Sequence, residues 1–282
     1  MIRTPPGWGA DMLTHAYQSV TSARPGWLIT PPATVEVRRI ELADLKWALA
    51  RGMEDFGAAR SDVLFLCVVY PLVGLLLARV AFGYDMLPLV FPLASGFALI
   101  GPLAAVGLNE MSRRRELGMQ IGWTDAFAVF RSPAIGGIIL LGVVLVAMFL
   151  FWLVLSNVVY NLTLGPRPPV SVIGFVHDIF FTRAGRAMAF IGISTGFVLA
   201  LAALTISLVS VPMLLDRNVA LETAIRTSAA AVARNPRVIA VWGLIIVAGL
   251  VIGTIPLLLG FIIVMPVLGH ATWHLYRRLV VS

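Results

Sequence analysis

Long uncharged apolar runs alternate along the chain with short segments that carry nearly all of its charge. A helix of ~20 apolar residues crosses ~30 Å of hydrocarbon. Six runs meet that requirement: residues 63–82, about 87–108, 134–158, about 187–215, and two more within the continuous apolar stretch 238–274. The third contains GGIILLGVVLVAMFLFWLVL without a break. The last stretch is too long for one span, and Gly253, Thr254 and Pro256 supply its hairpin turn, leaving a short fifth helix. None of the runs shows the in–out alternation of barrel strands. The expected fold is therefore all-α: a polytopic membrane protein of six transmembrane helices, arranged as three helical hairpins, each preceded by a short amphipathic cytoplasmic helix.

The three hairpins read as one unit used three times, over about 40–118, 119–217 and 218–282, behind a flexible cytoplasmic tail at 1–39. The amphipathic pieces begin near Leu45, Thr124 and Leu221. They share a small-then-apolar pair (Ala48-Leu49, Ala126-Phe127, Ala224-Ile225), followed by Phe56, Val129 and Val232 on the same face. Ser132-Pro133 and Asn235-Pro236 stand before the third and fifth spans, where proline suits a first turn and a short polar residue suits the cap. Arg60-Ser61-Asp62 takes that place in the first unit. Each returning span carries a proline: Pro102, Pro212 and Pro266. The tail holds Pro5, Pro6, Pro25, Pro31 and Pro32 and no secretory signal.

Composition changes the picture little. Of 282 residues, 59% are hydrophobic and 12% charged, against ~25% charged in soluble domains. A net charge of +7 does not point to nucleic acid, because the basic residues sit between apolar runs and not on one soluble face. Among the 21 lysines and arginines, only Arg79, Arg167, Arg183 and Arg186 fall on one side of the six spans. The richer side is then cytoplasmic, which puts both termini on the cytoplasmic side of a bacterial inner membrane. The opposite side has one long loop, 160–186, with Pro166, Pro168 and Pro169 ahead of a short interfacial helix at 172–181.

Two segments resemble family signatures: GFALIGPLAAVGLNEMSRRRELG, residues 96–118, and VMPVLGHATWHLYRRLV, residues 264–280. With LDRNVALETAIRTSAAAVARNP between them, they resemble an uncharacterised family of predicted bacterial integral membrane proteins, common in proteobacteria. The resemblance covers about residue 35 to the end and departs from the usual tyrosine at Asn109. It implies topology and no activity. The linker between the fourth and fifth spans is more distantly similar to membrane domains fused to bacterial glycerophosphodiesterases, without their catalytic domain.

His270 and His274, spaced i, i+4, put two imidazoles on one helix face and form a candidate metal or haem pair. The competing reading is a pair of interfacial histidines beside Trp273 and Tyr276. With His15 and His177, the four histidines are too few for a haem–copper oxidase core, and the lone Cys67 rules out a thiolate cluster. No other motif calls for a cofactor. Glu110, Arg113, Arg114, Arg115 and Glu116, with Asp216 and Arg217, form a candidate docking patch for an anionic headgroup or a partner carboxylate, or simple topology anchors. Glu54, Asp55 and Glu222 read as solvated faces of amphipathic helices. Gly192, Gly196, Gly249 and Gly253 permit close helix packing within the chain or across a homo-oligomer seam. At depth the polar residues are Asn157, Ser194, Thr195, Thr205, Ser207 and Ser210, whose hydroxyls can bond to their own helices. The spans carry essentially no charge, which argues against proton- or sodium-coupled transport.

The expectation is a non-enzymatic inner-membrane protein, a scaffold or accessory factor for a membrane complex or for envelope maintenance. Its partners would be membrane lipid and other membrane proteins. The alternatives are a transporter or lipid-handling protein, and a haem- or metal-binding accessory protein using His270 and His274.

Overall fold

The structure is a computed structural model that describes residues 35–58, 87–169, 171–255 and 259–281. The expected first span at 63–82, Cys67, Arg60-Ser61-Asp62, Pro256 and the tail prolines lie outside those residues.

Apart from short connections, the described chain is helical. Helix α1 is Leu42–Ala58. A single 3-10 turn, Leu87–Leu89, leads into α2, Val90–Ala104, and then α3, Val106–Glu116. The two are joined through Ala105, whose N–H still bonds to Gly101 O. A 3-10 segment, Trp123–Arg131, precedes α4, Ile135–Thr163. Next come α5, Val172–Phe181, α6, Arg183–Ser207, and α7, Ser210–Asp216. The chain ends with α8, Leu221–Arg234, α9, Pro236–Thr254, and α10, Phe261–Leu279.

Among the described residues, three helical stretches are long and apolar enough to cross a membrane: Ile135–Thr163, Arg183–Asp216 and Pro236–Thr254. Their outward faces are apolar. Phe151 and Val154 on α4, Phe190 and Phe197 on α6, and Leu244 and Val251 on α9 are each more than half exposed. So large an apolar surface needs lipid around it. Of the five hydroxyls expected at depth, Thr195, Thr205, Ser207 and Ser210 each donate to the carbonyl four residues back, at 2.6–2.8 Å.

Small residues set the helix spacing where the structure needs it. Gly96 lets α2 accept the ring of Phe149 from α4. Trp152, also on α4, then donates to Pro92 O and Ser95 Oγ at 3.2 and 3.1 Å. Gly249 and Gly253 seat Val264 and Phe261 of α10 against α9, and Gly196 seats Trp152. Among the described residues Gly192 meets nothing within 4 Å, so within the chain the close approach of this pair is at Gly196. Pro102, Pro212 and Pro266 all lie within helices. Gly118 and Gly165, at φ of +74° and +92°, end α3 and α4 in the left-handed conformation that glycine adopts freely.

Two expectations about the amphipathic segments are corrected. The second is a nine-residue 3-10 segment and not an α-helix. It is short, rich in aromatic and β-branched residues, and held at its start by Asp125, whose carboxylate accepts from Gly122 N at 2.8 Å. Asn235 does not cap α9 with its side chain. Its Oδ1 accepts from Ile40 N, and its Nδ2 donates to Arg38 O, both at 2.9 Å. It thereby pins the segment entering α1 to the start of α9.

The two ends of the described chain also meet. Val37 and Val280 form an antiparallel bridge, with Arg38 N to Leu279 O at 2.7 Å and Val281 N to Glu36 O at 3.1 Å.

Candidate functional site

Among the described residues the most extensive helix pair is α1 on α10, and its geometry follows from one glycine. A Cβ on Gly52 would lie 2.7 Å from both Ala271 N and Val267 O, so only glycine lets the two backbones come this close. Leu45, Ala48, Gly52, Asp55 and Phe56 are thereby buried on one face of α1. Asp55 is carried inward with them and is only 4% exposed. Its expected place on a solvated face is corrected: in the α1 register it shares the buried stripe with Gly52 and Phe56. Glu54 and Glu222 do remain exposed.

Asp55 is fully partnered. Ser112 Oγ of α3 donates to Oδ2 at 2.5 Å, and His274 Nε2 of α10 donates to the same oxygen at 2.8 Å. Arg115 Nη1 reaches Oδ1. Ser112 has one proton and gives it to the carboxylate, so its contact with His270 Nδ1 at 2.8 Å requires the ring to donate. His270 is fully buried, and its Nε2 has no hydrogen-bond partner among the described residues. Burial acts to raise the Asp55 carboxyl pKa, but hydrogen bonds from His274 and Ser112 and the nearby histidines outweigh it. The result lies below the ordinary carboxylate value.

The network is a latch joining α1, α3 and α10. It does not have the geometry of a serine nucleophile. Ser112 is 1% exposed, and the carboxylate touches the hydroxyl itself and not the far side of an imidazole. His270 and His274 each commit a ring nitrogen to this latch, Nδ1 to Ser112 and Nε2 to Asp55. No group of three or more His, Cys, Asp or Glu residues is placed to hold a metal ion among the described residues.

The expected docking patch divides in two. Arg115 turns to Asp55. Glu110, 4% exposed, accepts from Arg113 through two bonds of 2.8 Å and from Arg114 through a third, and Arg114 also reaches Asp125 at 2.6 Å. Asp216 accepts from Tyr276 Oη at 2.6 Å and Arg277 Nη1 at 3.2 Å. Arg217 Nη2 donates to Val281 O at 2.6 Å. Glu116 ties Trp273 Nε1 and Arg277 Nε together at 2.9 and 3.0 Å. The ends of α3, α7 and α10, one from each expected returning span, are thus laced into one polar knot.

This knot borders a cavity of about 400 Å³ that Arg131 and Arg217 also line. A second, of about 370 Å³, lies at the start of α9 between Arg39, Arg234 and Arg237. Arg131 and the second cavity had no place in the docking patch read from the sequence. The signal for both was the pair of tripeptides Arg131-Ser132-Pro133 and Arg234-Asn235-Pro236.

Residues 90–216 match the model of the family described as Predicted integral membrane protein (DUF2189). No curated protein and no solved structure matches the chain. The DUF2189 match runs from the start of α2 to the end of α7. It includes Ser112, Arg115, the Glu110 cluster and Asp216, while Asp55, His270 and His274 lie outside it. The latch therefore joins the DUF2189 segment to the helices on either side. The membrane character read from the apolar runs and the family's description agree.

Proposed function

We propose that this chain is a non-enzymatic membrane scaffold or accessory protein, crossing the bilayer six times as three hairpins with both ends in the cytoplasm. The observation that carries the reading is where the charge goes. The described apolar helices contain no charged residue in their middle stretches, whereas Asp55, Glu110, Glu116 and Asp216 are each committed to several internal donors at one end of the bundle. A transport path needs polar groups free to exchange partners at depth. This bundle instead spends its polar groups on holding helix ends together.

The side assignment is supported by the pairing of Val37 with Val280, since it puts the segment entering α1 and the end of α10 on one face. It is supported too by the arginines that gather there. The recurring order of short amphipathic segment, apolar helix and proline-containing return supports the threefold unit. A scaffold is tested by purifying tagged protein from its own host in a mild detergent and identifying what accompanies it. One or more membrane proteins recovered in fixed ratio is the expected result. Repeated recovery of the chain alone, after chemical crosslinking in intact membranes, would remove the scaffold reading.

A further inference from the structure

The two cavities occupy equivalent places. Each lies where an apolar helix begins, beside an arginine, a short polar residue and a proline: Arg131-Ser132-Pro133 before α4 and Arg234-Asn235-Pro236 at α9. Their volumes fall within the ~300–1,000 Å³ of small-molecule sites, and both are basic.

In the first cavity the carboxylates are already spent. Glu110 is held by Arg113 and Arg114, and Asp216 by Tyr276 and Arg277. Arg131 makes no ion pair among the described residues, and Arg217 is only partly engaged. Ala134, Leu214 and Leu215 line another part of the cavity with apolar atoms.

The second cavity contains no carboxylate. Arg39, Arg234 and Arg237 are exposed and make no ion pair among the described residues, with Ile40, Pro236 and Val238 as the apolar part of the lining. Guanidinium groups beside apolar carbon, at the end of a lipid-facing helix, suit an anionic phosphate ester attached to an acyl-bearing glycerol. The start of a long helix adds its positive dipole end to both.

We propose that the two cavities are paired headgroup sites, each holding the phosphodiester of one anionic phospholipid, through Arg131 in the first and Arg234 in the second. The proposal does not depend on the scaffold reading, since a chain with or without protein partners would carry these lipids. It rests only on the bilayer surrounding α4 and α9.

The experiment is native mass spectrometry of delipidated protein in detergent, titrated with phosphatidylglycerol, then with phosphatidylcholine, then with inorganic phosphate as competitor. Wild type is expected to retain two phosphatidylglycerol molecules and to discriminate against phosphatidylcholine. Arg131→Gln and Arg234→Gln are each expected to weaken one of the two by about tenfold, the worth of one charge-assisted hydrogen bond, and the double variant to weaken both. Unchanged retention in the double variant, or equal retention of phosphatidylcholine by wild type, overturns the proposal. Displacement of both lipids by inorganic phosphate would reassign the cavities to a soluble anion and overturn it equally. The wild-type comparison stands even if a variant fails to fold.

Discussion

Asp55 and His274, 219 positions apart, are joined by a hydrogen bond of 2.8 Å that fastens α1 to α10. Because Ser112 and Arg115 share the same carboxylate, its removal leaves buried donors on two other helices. Asp55→Ala is expected to destabilise the protein by about 2–4 kcal/mol, with the Arg115 contribution discounted because that side chain is more than a third exposed. Asp55→Asn, which keeps acceptor capacity, should cost clearly less. Thermal unfolding in detergent, followed by tryptophan fluorescence or by loss of the monodisperse peak, reads both.

The pH dependence has a definite sign. Asp55 is held below its ordinary value of 3.8, so the folded state favours the ionised carboxylate. Its contribution is fully present above the unfolded-state value and is lost only as pH falls through the lowered folded value. The stability gap between wild type and Asp55→Ala should therefore stay constant from neutral pH down to about 5 and close only below about 4. A gap that closes between pH 7 and 6 would place the decisive titration elsewhere.

Gly52 makes the latch reachable. Gly52→Val puts side-chain atoms where the backbone of Val267 and Ala271 already lies, and overpacking of this kind costs about 1–3 kcal/mol. The expected outcome is detachment of α1 while the membrane helices stay folded. It is read as faster amide exchange along Leu42–Ala58 with unchanged exchange in Ile135–Thr163.

Asn235 offers a separate handle on the same face. Asn235→Ala removes the partners of Ile40 N and Arg38 O while leaving Pro236 to start α9. A loss of about 1–2 kcal/mol locally should expose the segment around Arg38 and Arg39. Limited trypsin digestion is expected to cut there several-fold faster than in wild type, with the rate of cleavage in α8 unchanged.

Hydrophobic runs are strong signals, and the helices at 134–158, 187–215 and 238–274 appear close to where the pattern puts them. The helices also run past two of the expected boundaries, at 108 and 274, because the charged ends of α3 and α10 continue as helix to Glu116 and Leu279 and into the polar knot. The site was harder to read. His270 and His274 stood out by spacing, yet what they bond to comes from α1 and α3, far away in sequence. The sequence puts Asp55 on the surface because a charge on an amphipathic helix is ordinarily solvated. Its burial is a consequence of Gly52, a residue that carries no hydrophobic signal. Ser112, lying among arginines, gave no sign of being a buried donor. Asn235 before Pro236 reads as a local cap, a role its side chain gives up for contacts with Arg38 and Ile40.

The central claim is that α1, α8 and the end of α10 lie together on one side of a bilayer, with α5 on the other. Single cysteines at Lys46, Arg226, Arg278 and Ile173, placed in a Cys67→Ser background, can be labelled with a membrane-impermeant maleimide in sealed vesicles of known orientation. The account expects the first three to react from the cytoplasmic side only and the cysteine at Ile173 from the opposite side only. Labelling of positions 46 and 173 from the same side, or of 46 and 278 from opposite sides, would contradict it.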